Sequence, residues 1–248
     1  MYMGKTIAII QARMGSTRLP GKIIRKLDGR PIYRWVYDRL SFAKGVNQIV
    51  FATTNLPIDD TFSNSINHLG IGLIRGSEDD VLSRYYDAAL KFDADTVVRI
   101  TCDCPFIDGH LLDEGLTVHA KNDNHYSSNV IPPTFPDGFD FEIFSFEILK
   151  EAYKNASSPH EREHVTTWII KNIDKKNAIT HCSNTDKHAL KRVTLDNQAD
   201  FDLLDQLVSN YGVNVNSSVE EIIEILDQNP DLQKINNEFN ARKAQYNG

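Results

Sequence analysis

The chain is poor in the features that mark several protein classes. It holds three cysteines, Cys102, Cys104 and Cys182, among 248 residues. Three thiols cannot all pair within one chain, and Cys102 and Cys104 are only two positions apart. No disulfide framework is expected, and a reducing compartment fits best. No apolar run approaches the roughly 20 residues that cross a bilayer. The run Ile7 to Ile10 is also too short for a secretory core. A soluble, cytoplasmic protein with no membrane partner is expected. Positive charge is not in excess either: 27 Lys and Arg face 34 Asp and Glu, a net charge of −7. That argues against a nucleic-acid polymer as partner. Linkers, internal repeats and low-complexity stretches are lacking, so one domain over residues 1–248 is expected.

What is present is ordinary globular composition, 41% apolar and 25% charged, enough to bury a sizeable core. The charge is unevenly spread. Residues 1–45 carry ten Lys or Arg against two Asp, a balance of +8, and the rest carries −15. A basic end on an acidic body suits a small polyanion.

Hydrophobic periodicity predicts strands at 5–11, 48–54, 71–75 and 96–101. Helices are predicted between them, at 31–43, 58–69 and 79–92, with 108–121 after the fourth strand. Strand–helix alternation means βαβ units, an α/β class and a mostly parallel sheet. Further on, strands are expected at 127–130, 140–144 and 191–196. Helices are expected at 145–155, 159–173, 198–210, 218–228 and 231–244. The less regular stretch near 125–190 reads as an inserted excursion.

The segment QARMGSTRLPGK (Gln11–Lys22) follows the first strand directly. Ligands of open α/β sheets bind beyond the carboxyl ends of the strands. Gly15 and Gly21 permit close backbone approach, and Arg13, Arg18 and Lys22 supply fixed cations. Together they suit a polyphosphate cradle. A plain basic surface loop is the competing reading. The segment is not a Walker A loop, because five residues separate Gly15 from Gly21 and Ile23 stands where Ser or Thr would hold a metal. No dinucleotide fingerprint is present, since Arg75 stands where Gly70-Ile71-Gly72 would need a third glycine.

This segment resembles the N-terminal signature of cytidylyltransferases that activate acidic sugars, the CMP-KDO and CMP-acylneuraminate synthetases. The likeness is nearest to the branch of spore coat polysaccharide biosynthesis protein F. It continues in order through RGSEDDVLSRY (75–85), RITCDCPFID (99–108), FPDGFDFEIFS (135–145), EREHVT (161–166) and RVTLDNQADFDLL (192–204). The resemblance implies a Rossmann-like nucleotide-diphospho-sugar transferase fold, a mostly parallel mixed sheet flanked by helices. It also implies transfer of CMP from CTP to an acidic sugar or phosphonate-like acceptor, release of pyrophosphate, and a homodimer contact within the excursion. Arg13, Lys22 and Asp103 would be catalytic. Gln11, Ala12, Arg13, Gly15, Ser16, Arg18 and Lys22 would hold the nucleotide, and Arg75, Gly76 and Ser77 would line its base pocket. Asp103 and Asp196 would carry Mg²⁺, a hard cation that favours carboxylate oxygens.

Each assignment has a bland counterpart. Asp196 precedes the helix at 198–210 and suits a cap, and Ser77 or Asp79 suits the cap of the helix near 79. Asp140 and Glu142 alternate on one strand face and are acceptor-site candidates, or simply a polar edge. Arg162 and His164 are candidates for the acceptor site or the dimer contact. His160-Glu161-Arg162-Glu163-His164 also matches H-E-x-x-H, the zinc-protease motif. Ser157-Ser158-Pro159 starts a helix there, so His160 would sit in a frayed first turn, and a third ligand is lacking. Cys102 and Cys104 read as small packing residues. A nucleotide-binding regulator without catalysis remains an alternative, because fold does not fix function.

Overall fold

Ile7, Ala8, Ile9 and Ile10 of the first strand, β1 (Thr6–Gln11), are all closed to solvent. A strand buried on both faces belongs in the middle of a covered parallel sheet. The structure, a computed structural model, describes residues 4–121, 126–173 and 186–240. Cys182, residues 174–185 of the excursion and the end of the expected 231–244 helix lie outside these.

After β1 come β2 (Lys26–Leu27), β3 (Arg30–Pro31), α1 (Ile32–Leu40), β4 (Gln48–Thr54) and α2 (Asp60–His68). Next are β5 (Gly72–Gly76), α3 (Val81–Lys91), β6 (Thr96–Thr101) and α4 (Gly109–Lys121). The second half holds β7 (Tyr126–Ser128), β8 (Glu142–Ser145), α5 (Phe146–Asn155), α6 (Pro159–Glu163), α7 (Thr167–Asn172), α8 (Asp186–Ala189), α9 (Gln198–Tyr211) and α10 (Val219–Gln228). The main sheet runs β5-β4-β1-β6-β8-β7, and β2 and β3 form a separate small ribbon. β1 pairs in parallel with β4 and β6, with Gln11 in register with Ala52 and Thr101. β8 is antiparallel to both β6 and β7. The α/β class and the mostly parallel mixed sheet are therefore as the sequence implies.

Side-chain alternation along β1 divides the core. Ala8 and Ile10 join Trp35, Phe51, Phe62 and Phe106 on one face, and Ile7 and Ile9 join Tyr85, Phe144 and Leu149 on the other. Burying each of these large side chains contributes about 1.5–3 kcal/mol. Among the described residues, no helix is long and apolar enough to cross a membrane.

Five expected elements differ. The 159–173 helix is broken into α6 and α7, because Val165 turns into the left-handed region (φ 27°) as it enters the core. The 191–196 stretch is extended but joins no sheet. Its backbone bonds loops instead, Val193 N–H to Asp137 O and Leu195 N–H to Asp103 O. Gly138 permits the close approach, since a Cβ there would lie 2.7 Å from the Val193 carbonyl carbon. The strand expected at 140–144 begins only at Glu142, and that at 127–130 ends at Ser128. Past Pro230, two short 3-10 turns, Leu232–Lys234 and Asn237–Phe239, stand where a helix is expected. The buried Asn236 amide there is drawn inward to Asp200 Oδ1, 2.9 Å away.

Candidate active site

The carboxyl ends of β1 and β6 open onto a cleft of about 230 Å³. The loop after β1 supplies Gln11, Ala12, Arg13, Ser16, Thr17, Arg18, Lys22 and Ile23 to its lining. This loop is folded back on itself, with the Ser16 and Gly21 N–H groups both donating to Met14 O. Asp59 Oδ1 anchors it by accepting from Met14 N–H at 2.7 Å. Gly15 abuts Glu78, which also pairs with Arg13 at 3.3 Å.

The centre of the cleft is an ammonium in an oxygen cage. Lys22 Nζ donates to Asp103 Oδ2 (2.9 Å), Asp196 Oδ1 (3.1 Å) and Leu195 O (2.9 Å). Burial alone would lower the Lys22 pKa, but Asp103 and Asp196 outweigh it and hold the ammonium above its usual value. Burial would likewise raise Asp103, and Lys22 and the Thr101 hydroxyl draw it below the usual carboxylate range. Asp103 lies in the turn after β6, and the extended 191–196 segment brings Asp196 beside it. Asp196 does not cap α9: Asn197 does, accepting from Asp200 N–H at 3.0 Å. Asp196 instead takes bonds from Arg18 (3.0 Å) and Arg192 (3.1 Å). Arg192 is buried and also grips Asp200 and Asp137, each at 2.8 Å.

A second cavity, about 340 Å³, adjoins the first and shares Arg99, Thr101 and His164 with it. Asp140, Glu142, Phe141, Ile131 and Ile170 also line it. Glu142 is buried, pairs with Arg99 and accepts from the Tyr126 hydroxyl at 2.6 Å. Its charge is thus committed to the wall.

Five candidates, Gly15, Arg75, Gly76, Ser77 and Arg162, lie outside both linings. Arg75 is held by the Thr54 carbonyl (2.9 Å), the Leu56 carbonyl (3.0 Å) and Asp60 (2.7 Å). Ser77 Oγ accepts from Asp80 N–H, and Asp80, not Ser77 or Asp79, caps α3. Gly76 sits under Arg84, where a Cβ would lie 2.8 Å from Arg84 Cγ. The Arg162 guanidinium joins Asp80 to the Tyr153 carbonyl and lies 5.0 Å from the Tyr153 ring centre. It ties α6 to α3 and α5.

The H-E-x-x-H stretch is a helix start. Ser158 and Glu161 form a reciprocal capping box, and Lys171 pairs with Glu161 at 3.2 Å. Among the described residues no group of three His, Cys, Asp or Glu is arranged to hold a metal. Cys102 and Cys104 are buried free thiols, and burial raises the pKa of both.

Sequence reasoning passed over Arg84, Arg99, Thr101 and Arg192. Arg192, Asp196 and Asp200 lie at a spacing of four, a signal that a strand reading of 191–196 conceals.

A family model described as cytidylyltransferase matches residues 7–236. The chain belongs to the cytidylyltransferase family. A relative in Methanocaldococcus jannaschii, the uncharacterized protein MJ1063, is 36% identical over 245 residues, 98% of each chain. The spore coat polysaccharide biosynthesis protein SpsF of Bacillus subtilis is 28% identical over 236 residues, 92% of this chain and 97% of that one. Among solved structures, a cytidylyltransferase from Leptospira borgpetersenii superposes with a TM-score of 0.87 at 33% identity, over 93% of this chain and 97% of that one. Cytidylyltransferase membership makes the chain a transferase on a nucleotidyltransferase fold.

Proposed function

We propose that this protein transfers CMP from CTP to an acidic sugar or phosphonate-like acceptor, releasing pyrophosphate, in the supply of polysaccharide or glycoconjugate precursors. One observation carries this reading. A cleft joins a cationic loop to two carboxylates and opens, past Arg99, Thr101 and His164, into a second cavity. The first cavity suits the nucleotide and the second the acceptor. The precursor role leans on the name of the Bacillus subtilis relative.

Arg13, Arg18 and Lys22 would hold the phosphates. The acceptor oxygen would attack the α-phosphorus in line, forming one O–P bond as the bond to the β-phosphate oxygen breaks. Pyrophosphate would leave with that electron pair. Positioning and charge neutralisation would supply most of the rate.

Asp103 and Asp196 would hold Mg²⁺. Their chemistry fits, because two carboxylates and the Leu195 carbonyl already converge on a cation, the Lys22 ammonium. A bound magnesium ion would neutralise α-phosphate charge and lower the pKa of an acceptor hydroxyl. Lys22 would then exchange carboxylate for phosphate partners. A cytoplasmic homodimer is part of the same reading, testable by light scattering.

The test is pyrophosphate release with CTP, Mg²⁺ and a panel of keto-acid sugars, sugar phosphates and phosphonates. Asp103→Asn is expected to abolish release while leaving the fold intact. Turnover near wild type in that variant would remove the metal assignment. Thermal stabilisation by CTP without turnover on any acceptor would favour a nucleotide-binding regulator.

A further inference from the structure

Every cation that lines the cleft has a carboxylate partner among the described residues except Arg84. Arg13 has Glu78, Arg18 has Asp196, Lys22 has Asp103 and Asp196, and Arg99 has Glu142. Arg84 lies in α3 and is only 3% exposed, yet it lines the cleft. Its Nε and Nη1 are buried and make no hydrogen bond. A buried, unpaired guanidinium is costly to a folded protein. Burial is the main cause that lowers its hold on the proton; Tyr85, Asp59 and Glu78 oppose this, and the like charge of Arg13 adds to it.

The chain leaves room for this arrangement. Gly76 lies against the Arg84 stem, and a side chain there would collide with Cγ at 2.8 Å. The neighbour in sequence, Tyr85, has its hydroxyl within 3.3 Å of Gln11 Oε1, so α3 is fixed under the loop after β1. Two cations that repel, Arg13 on the loop and Arg84 below it, are relieved together by an anion seated in the same cleft.

We infer that Arg84 is a binding residue for the nucleotide, a buried cation kept unpaired to receive a phosphate oxyanion held by the loop after β1. The inference rests on the nucleotide reading of the cleft given above. It follows that the empty protein is destabilised by Arg84 and the liganded protein is stabilised by it. A guanidinium with a merely structural role would act in the opposite sense on the empty protein.

The test uses the full chain and two neutral variants, Arg84→Met and Arg84→Gln. Melting is measured without ligand, and affinities for pyrophosphate, CTP and cytidine are measured by calorimetry. In whichever neutral variant folds, the unliganded protein is expected to melt at or above the wild-type temperature. Pyrophosphate and CTP are expected to bind at least tenfold more weakly, and the uncharged cytidine to bind as before. Arg84→Lys, which keeps a cation without the fork, is expected to recover part of the loss. Unchanged pyrophosphate and CTP affinity would overturn the inference, as would a lower melting temperature without ligand or failure of both neutral variants to fold. An equal loss for cytidine would also overturn it, by showing a general distortion. If the wild-type protein binds neither CTP nor pyrophosphate, the nucleotide reading itself fails, and that outcome is distinct from any difference between variants.

Discussion

Replacing Lys22 with Met removes the ammonium from between Asp103 and Asp196 while keeping most of the stem. Three hydrogen bonds are lost, to Asp103, Asp196 and the Leu195 carbonyl. Asp196 retains Arg18 and Arg192, so the uncompensated charge falls on Asp103. A charged hydrogen bond contributes about 1.5–3 kcal/mol, and breaking a fully buried pair costs about 3–5 kcal/mol. The side chains are 13%, 27% and 19% exposed for Lys22, Asp103 and Asp196, so solvent screens part of this. A loss of about 2–3 kcal/mol is expected. At roughly 2–4 °C per kcal/mol for a domain of this size, melting falls by about 4–12 °C. Asp103→Asn in the same background removes the stranded charge, so the double variant should lose less than the two singles together. A coupling of about 1–3 kcal/mol in a denaturant double-mutant cycle is the expected result. Additivity within about 0.5 kcal/mol would refute the cage. The pH dependence has a definite sign. Asp103 is depressed, so its contribution is present above 3.8 and fades as pH falls below that value. Lys22 is raised, so its contribution is full below 10.5 and fades as pH rises beyond it.

Further measurements probe the neighbouring assignments. The Glu161 carboxyl is drawn down to about 2 by the Ser158 backbone N–H, the Ser158 side chain and Lys171. Its support of α6 is therefore present above pH 4.5 and lost as pH falls through about 2; an NMR-detected carboxyl pKa above 4.5 would contradict the capping role. Gly76→Ala forces Arg84 aside and should weaken pyrophosphate binding several-fold with little change in secondary structure by circular dichroism. Cys102 and Cys104 should resist iodoacetamide in the folded protein and react on unfolding, as mass spectrometry of the digested chain would read. Arg162→Ala should destabilise the protein by about 1–3 kcal/mol in urea titration, because it leaves Asp80 unpaired beside α3.

The parallel core was legible because its signals are local. Four apolar β-branched runs alternate with amphipathic helices; β1 and most of β4 and β6 are buried, and only the edge strand β5 is half-buried. The loop after β1 was legible for the same reason: glycines and cations are concentrated in one short segment after a strand. The 191–196 segment was not. Its Val, Thr and Leu favour a strand, but the ladder they would join is supplied by loop atoms of Asp103 and Asp137, and propensity carries no information on that pairing. The kink at Val165 also escaped, because the periodicity through 159–173 is helical on either side of it. One distant contact, the burial of Val165 itself, overrides that pattern.

The cations show the limit most clearly. Arg13, Arg18, Lys22, Arg75, Arg84 and Arg99 all occur in the segments that carry the family likeness, and the sequence does not reveal which of them has a partner. Their environments separate them. Arg75 is spent on two carbonyls and Asp60, and Arg99 on Glu142. Arg13, Arg18 and Lys22 hold carboxylates that a phosphate can displace, because those pairs face an open cleft. Among the described residues Arg84 has no carboxylate partner, and its Nε and Nη1 are unbonded. A ligand that brings negative charge must compete for the loop cations, but at Arg84 it meets only desolvated N–H groups, so the gain there is not reduced by a broken ion pair. On the nucleotide reading, affinity for the anion would therefore be built less from the number of cations than from the one whose partner the fold withholds.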